Sequence, residues 1–168
     1  MKIINQFLQE AKNALTIYCD MDGVLCDFES QFEKMGHGTI EKVEKRYGPE
    51  APWKMITKAG VSFWSLMPWM PDGKRLWQFI KKYDVKILSS PVKSNASKVG
   101  KKLWVRKNLG KDVELILSPS REKQQYASSN AILIDDKLRT IKEWRSKGGI
   151  AIHHKNANDT IKKLKKLV

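Results

Sequence analysis

Cysteine is scarce in this 168-residue chain: Cys19 and Cys26 are the only two. Two cysteines build no disulfide framework, and with three histidines they offer no zinc-type ligand spacing. A reducing, cytoplasmic setting is therefore the expectation. Long apolar runs are missing too. None approaches the roughly 18 residues of a membrane-spanning helix, so no membrane partner is expected. The opening segment Met1-Lys2-Ile3-Ile4-Asn5-Gln6 lacks the continuous apolar stretch of a signal peptide. Ile3, Ile4, Phe7, Leu8 and Ala11 instead recur at helical spacing and predict a short amphipathic helix. Acids are few, 18 against 32 Lys plus Arg, giving a formal net charge of +14. Between Val85 and Lys111 there is no acid at all, while Lys93, Lys98, Lys101, Lys102, Arg106, Lys107 and Lys111 all fall there. That balance points to anionic partners, namely nucleotides, phosphorylated metabolites or nucleic acid. Taken singly, each of these lysines reads as part of a solvated helix face.

What is present is enough for a real core. Apolar residues make up 41% of the chain, with six Trp and five Phe, which argues against disorder. Five short runs rich in Ile, Leu and Val stand out: Leu15–Cys19, Val85–Leu88, Val113–Leu117, Ala131–Ile134 and Ile150–Ile152. Continuous runs of this length suit strands buried on both faces of a parallel sheet. Helical patterns lie between them. Lys74–Lys82 carries Leu76, Phe79 and Ile80; Ser97–Asn108 carries Val99, Leu103 and Val105; Leu138–Lys147 carries Ile141 and Trp144. The final segment, with Ile161, Leu164 and Leu167 among lysines, predicts an amphipathic closing helix. Strand and helix alternate, so the fold class is α/β, a Rossmann-like three-layer core around a mainly parallel five-stranded sheet.

One stretch breaks the alternation. From Gly23 to Asp84 the chain is far longer than a crossover needs. It holds Gly36-His37-Gly38, Gly48-Pro49 and the aromatic cluster from Phe63 to Pro71. The expectation is a small helical cap inserted after the first strand, residues 28–72, on an α/β core made of residues 1–27 and 73–168. Placed there, a cap would close over the site and exclude water.

The chemistry sits at the strand ends. Leu15–Cys19 terminates in Asp20-Met21-Asp22-Gly23, and ligands of open α/β sheets bind outside the carboxyl ends of the strands. Two carboxylates there suit a hard divalent cation and a phosphate, with one acid free to act as nucleophile. The second strand ends in Ser89-Ser90-Pro91 and the fourth in Asp135-Asp136-Lys137. Hydroxyls can hold phosphate oxygens, and two adjacent carboxylates call for a cation between them. After the third strand comes Ser118-Pro119-Ser120-Arg121-Glu122-Lys123, which offers a lysine for the phosphate or for the nucleophile's charge.

Asp20-x-Asp22-Gly-Val, Ser89, Lys123 and Asp135-Asp136, in that order at strand ends, resemble the four motifs of the haloacid dehalogenase phosphatase superfamily across roughly residues 15–137. Asp20 through Phe28, Phe63-Trp64-x4-Trp69-Met70-Pro71, Leu88-Ser89-Ser90-Pro91 and Leu133-Ile134-Asp135-Asp136 look like its 5′(3′)-deoxyribonucleotidase branch, which hydrolyses nucleoside monophosphates. The resemblance implies a Mg²⁺-dependent phosphatase with Asp20 as nucleophile and Asp22 as proton donor and then base. It implies Ser89 and Ser90 on the phosphate, Lys123 neutralising charge, and a metal set of Asp20, Asp22 through its backbone carbonyl, and Asp136 with Asp135 close behind it. The substrate it implies is a small nucleotide, its base stacked on Phe28, Phe63 and Trp64. The chain departs from the branch at Ser89, where Thr is usual, in its shorter length and in its basic charge. The basic charge keeps nucleic acid open as a partner, and with it a polynucleotide end-processing phosphatase or a non-catalytic nucleotide or nucleic-acid binder as alternatives.

Overall fold

The computed structural model describes residues 15–168; the helix expected around Ile3 to Ala11 lies outside the described residues. Five strands, β1 Thr16–Cys19, β2 Asp84–Ser89, β3 Leu115–Leu117, β4 Ala131–Asp135 and β5 Ile150–His153, form one sheet in the order β3-β2-β1-β4-β5. Every pairing is parallel. The continuous apolar runs reflect this arrangement, because crossover helices cover both faces. Along β4, Ile132 and Ile134 face one layer with Ile17 and Cys19. Ala131 and Leu133 face the other layer with Leu88, Ile141 and Trp144.

Eight α-helices accompany the strands among the described residues: α1 Phe28–Phe32, α2 Ile40–Tyr47, α3 Ala51–Ala59, α4 Val61–Ser65, α5 Gly73–Ile80, α6 Asn95–Asn108, α7 Leu138–Ser146 and α8 Ala157–Leu164. Leu76 and Ile80 of α5, Trp104 of α6 and Leu164 of α8 pack on the first face, and α7 covers the second through Ile141 and Trp144. Strand β3 is shorter than its apolar run, and Val113 lies outside it. No helix among the described residues is long and apolar enough to cross a membrane.

Helices α1 to α4 all arise between β1 and β2. The chain leaves and re-enters side by side: Asp27 N–H donates to Pro68 O at 2.8 Å, and Met70 N–H donates to Leu25 O at 2.8 Å. A bridge pairs Cys26 with Trp69. Helix α4 then lies directly on α6 at Gly100. A Cβ there would stand 2.4 Å from the Trp64 Cβ and 2.8 Å from the Val61 carbonyl, so only glycine permits this approach. The inserted helices are thereby anchored to the core rather than standing off from it. Overpacking a tight contact typically costs 1–3 kcal/mol, so G100A is expected to lower stability by about 2 kcal/mol, read as a drop in the denaturant midpoint at unchanged slope.

The face of α6 that turns inward is a correction to the sequence reading. Val99 and Leu103, expected inside, are 39% and 47% exposed, whereas Lys101 is fully buried beside Ser97, Trp104 and Val105.

His154, just past β5, is buried and its Nδ1 pairs with the Thr160 hydroxyl at 2.8 Å. Burial lowers its pKa from 6.5 against the pull of Asp72 and Asp159. A histidine depressed in the fold binds fewer protons than in the unfolded chain. Its contribution is therefore full above about pH 6.5 and declines as pH falls below that. In thermal melts the stability advantage of wild type over His154→Gln is expected to shrink from pH 7.5 to 5.5, a difference that isolates this residue from the oppositely signed Asp135 and Asp136 carboxyls.

Candidate active site

Parallel pairing brings the carboxyl ends of β1, β2 and β4 to one edge. Cys19 lies opposite Ile87 on one side and Ile134 on the other, so the next residue of β1, Asp20, falls beside the ends of both neighbours. Its N–H donates to Ile134 O at 2.8 Å. Strand order reverses around β1, the position where open α/β sheets form their ligand crevice.

Lys123 lies on a 3₁₀ turn, Ser120–Tyr126, after β3. Its ammonium reaches Asp20 Oδ1 and Asp135 Oδ2, both at 2.8 Å, with all three side chains almost fully buried. Burial works against the lysine's charge, but Asp20 and Asp135 outweigh it and hold its pKa above the ordinary lysine value. Burial and then the Asp20 charge push the carboxyls of Asp135 and Asp136 upward. Lys123 pairs with two of these acids and Lys137 acts on Asp136 only through its field, leaving a surplus of negative charge that a low-dielectric site does not tolerate unaided.

The acids of that surplus are grouped. Asp20, Asp135 and Asp136 each offer a carboxylate oxygen within 4.8 Å of the others. Their surroundings divide the labour. Both Asp135 oxygens are engaged, Oδ2 by Lys123 and Oδ1 by the Lys137 N–H at 2.8 Å. Asp136 Oδ1 is buried and has no hydrogen-bond partner among the described residues. Gly23, at φ +78°, leaves the space for that carboxylate: a Cβ would stand 2.5 Å from Asp136 Oδ2. His153 Nε2 holds the Asp136 carbonyl at 2.9 Å. An all-oxygen set with one orphaned carboxylate oxygen fits a hard divalent cation such as Mg²⁺, with Asp20 and Asp136 as the side chains best placed to hold it.

Asp22, the fourth acid of the sequence reading, keeps its carboxylate out of this cluster. It is 29% exposed, its Oδ2 is bound by Lys101, and Cys26 Sγ donates to its Oδ1 at 3.4 Å. Lys101 also donates to Ser89 Oγ at 2.8 Å and to the Ser90 carbonyl at 3.0 Å. Reading the sequence missed Lys101. The signal was its place on the Ser97-Lys101-Val105 stripe of α6, one turn apart on the face that carries Trp104.

A cavity of about 450 Å³ opens onto this edge. Asp22, Ser90, Asp136 and Lys137 line one part of it, and Phe28, Trp53 and Trp64 another. Phe28 stands 6.1 Å from Trp53 and 5.7 Å from Trp64, ring centroid to centroid. Ser90 lines the cavity with a buried hydroxyl that lacks a partner among the described residues. Ser89 does not line it; it is fully buried against Lys101. Phe63 is buried behind Phe28 and Trp64, 5.3 and 5.1 Å from them, and is not part of the wall. Trp53, 42% exposed, supplies an aromatic surface that sequence reasoning did not single out.

No protein-family model matches the chain, and no curated protein matches it. Solved structures do resemble it in shape. A haloacid dehalogenase-like family hydrolase from Xanthomonas campestris superposes with a TM-score of 0.58 at 12% identity, covering 91% of each chain. A hydrolase from Streptococcus pneumoniae does so at 0.54 and 10% identity, over 89% of this chain and 97% of that one. A haloacid dehalogenase family enzyme from Bacteroides thetaiotaomicron, in a variant complexed with magnesium and inorganic phosphate, matches at 0.50 and 17% identity, over 84% and 94%. The chain has a haloacid dehalogenase-like, Rossmann-type α/β fold.

Proposed function

We propose that this protein is a Mg²⁺-dependent phosphatase of nucleoside monophosphates, working through an aspartyl-phosphate on Asp20. The observation that carries the reading is the juxtaposition at one sheet edge of the Asp20–Lys123–Asp135 chain, the orphaned Asp136 oxygen and an aromatic-walled cavity. The Bacteroides enzyme of the same fold, which holds magnesium and phosphate, supports it.

In this reading Asp20 attacks phosphorus, and the bond from phosphorus to the leaving ester oxygen breaks. Asp22, outside the acid cluster and lining the cavity, gives its proton to that oxygen. It then takes one from water, whose oxygen displaces Asp20 and releases inorganic phosphate. Ser90 donates its hydroxyl to a phosphate oxygen, while Lys123 offsets charge on Asp20. A bound divalent cation would supply charge neutralisation between carboxylate and phosphate. Phe28 and Trp53 give the base a stacking surface, backed by the 2% exposed Trp64; such contacts are worth about 1–3 kcal/mol per base.

A phosphate-release screen with Mg²⁺ over deoxynucleoside monophosphates, ribonucleoside monophosphates and sugar phosphates tests the reading. Nucleotides are expected to lead by at least about tenfold, and Trp53→Ala to raise KM for them by about tenfold without affecting sugar phosphates. Equal turnover of sugar phosphates, unchanged in that variant, would contradict the nucleotide part.

A specific feature favours a second reading, in which the phosphate is borne by a polynucleotide end. A groove of about 610 Å³ runs between α6 and β3, lined by Lys102, Arg106 and Lys111 with one acid, Asp112. Polyanion binding weakens steeply with salt. Turnover of a 5′-phosphorylated oligonucleotide that falls with salt, and falls further in Lys102→Glu/Arg106→Glu, would favour this version. Absence of oligonucleotide binding at low salt would sink it.

A further inference from the structure

Lys101 is the one charged residue of α6 that faces inward, and it is fully buried. An ammonium group has three donors, and each one here has a different acceptor: Asp22 Oδ2, Ser89 Oγ and the Ser90 carbonyl. The same nitrogen lies 5.3 Å from the centroid of the Trp64 ring. One side chain thus ties together the loop after β1, the end of β2 and the aromatic wall of the cavity. Gly100, its neighbour in sequence, is what lets α4 and Trp64 come that close.

Stability alone does not account for a lysine at this position. Taking an ammonium out of water costs several kcal/mol, and apolar residues of similar volume often replace buried ion pairs with no loss. Asp22 is 29% exposed, so water can solvate its carboxylate without help. The arrangement instead fixes where that carboxylate points. Free, it would rotate about two torsions; bonded to Lys101, it is held to the β2 end, between the Ser89–Ser90 segment and the cavity.

Resting on the phosphatase reading above, we propose that Lys101 is a positioning residue for phosphoryl transfer: by its hold on Oδ2 it keeps the Asp22 carboxyl group, the proton donor of that reading, at the leaving-group side of the cavity. Lys123 serves the nucleophile side, where it binds Asp20 and Asp135. The two buried lysines therefore divide the site between attack and departure.

The test uses the leaving group. An alkyl ester needs a proton on the departing oxygen, whereas p-nitrophenolate departs without one. Wild type, Lys101→Met and Lys101→Arg are compared by kcat/KM on a deoxynucleoside 5′-monophosphate and on p-nitrophenyl phosphate, beside thermal melts. K101M is expected to lose on the order of 10²-fold on the nucleotide and little on p-nitrophenyl phosphate. K101R, which keeps the charge and donors, should recover part of the nucleotide rate. Lys101→Gln carries the same expectation as K101M and replaces it if that variant lacks a cooperative melt. Equal losses on both esters, or no loss on either, would overturn the proposal. A wild-type protein that turns over neither ester removes the phosphatase reading and this proposal with it, a result no ratio between variants can mimic.

Discussion

Asp20→Asn is expected to reduce phosphate release by about 10⁴-fold or more, the scale seen when a nucleophile is removed from a covalent mechanism. The geometry makes this the most damaging single change. Asp20 follows the central strand, is 4% exposed, and binds Lys123 through Oδ1. It also belongs to the carboxylate cluster that would hold the cation. An amide cannot attack phosphorus, and it exchanges an acceptor for a donor that would face Lys123 or the metal. The fold should tolerate the change, because removing one negative charge relieves a site with more acids than cations. Steady-state phosphate release, with circular dichroism to verify folding, checks both halves. Activity within about tenfold of wild type would rule out Asp20 as the attacking group.

The second large effect is on stability. Lys123→Met should destabilise the metal-free protein by about 3–5 kcal/mol, the usual cost of removing one partner from a buried ionic cluster. Lys123 is 2% exposed and neutralises Asp20 and Asp135 together. Without it, burial and mutual repulsion, which already raise the Asp135 and Asp136 carboxyls, act unopposed. Denaturant unfolding in chelator should show the full loss. Because repulsion among acids is what a cation offsets, added Mg²⁺ should restore more stability to K123M than to wild type. A loss below about 1 kcal/mol would mean that Lys123 is not the counter-charge of this site.

Much of this site could be read from the residues alone, because its parts sit at strand ends. The run Ala131-Ile132-Leu133-Ile134 ahead of Asp135-Asp136 announces both a buried strand and where it stops, and β4 is buried along its whole length. Asp20 and Asp135 were recognisable for the same reason and Lys123 as the lysine of the turn that follows β3, and the structure brings them within 2.8 Å contacts. What sequence could not assign depends on rotation about a helix axis. In α6, Val99 and Leu103 look like core residues and Lys101 like one more solvated lysine. Contact with α4 across Gly100 turns the helix so that Lys101 is inside and both apolar residues are outside. That contact joins residues far apart in the chain, so the local Ser97-Lys101-Val105 stripe could not be ranked above the competing Val99-Leu103 one. Phe63 and Trp53 show the same limit: the aromatic cluster was visible, but which rings face the cavity depends on how the inserted helices pack.

The division between Asp135 and Asp136 is likewise tertiary. Adjacent in sequence, they differ because the Lys137 N–H and Lys123 occupy Asp135. Asp136 is left with an unpartnered buried oxygen beside Gly23.

Acid quenching during turnover, followed by peptide mass analysis, tests the central claim most directly. The account predicts a phosphoryl group on the peptide containing Asp20, lost on treatment with hydroxylamine as an acyl phosphate should be, and absent from Asp20→Asn. Turnover with no phosphorylated aspartate, or with the phosphoryl group on another residue, would contradict it.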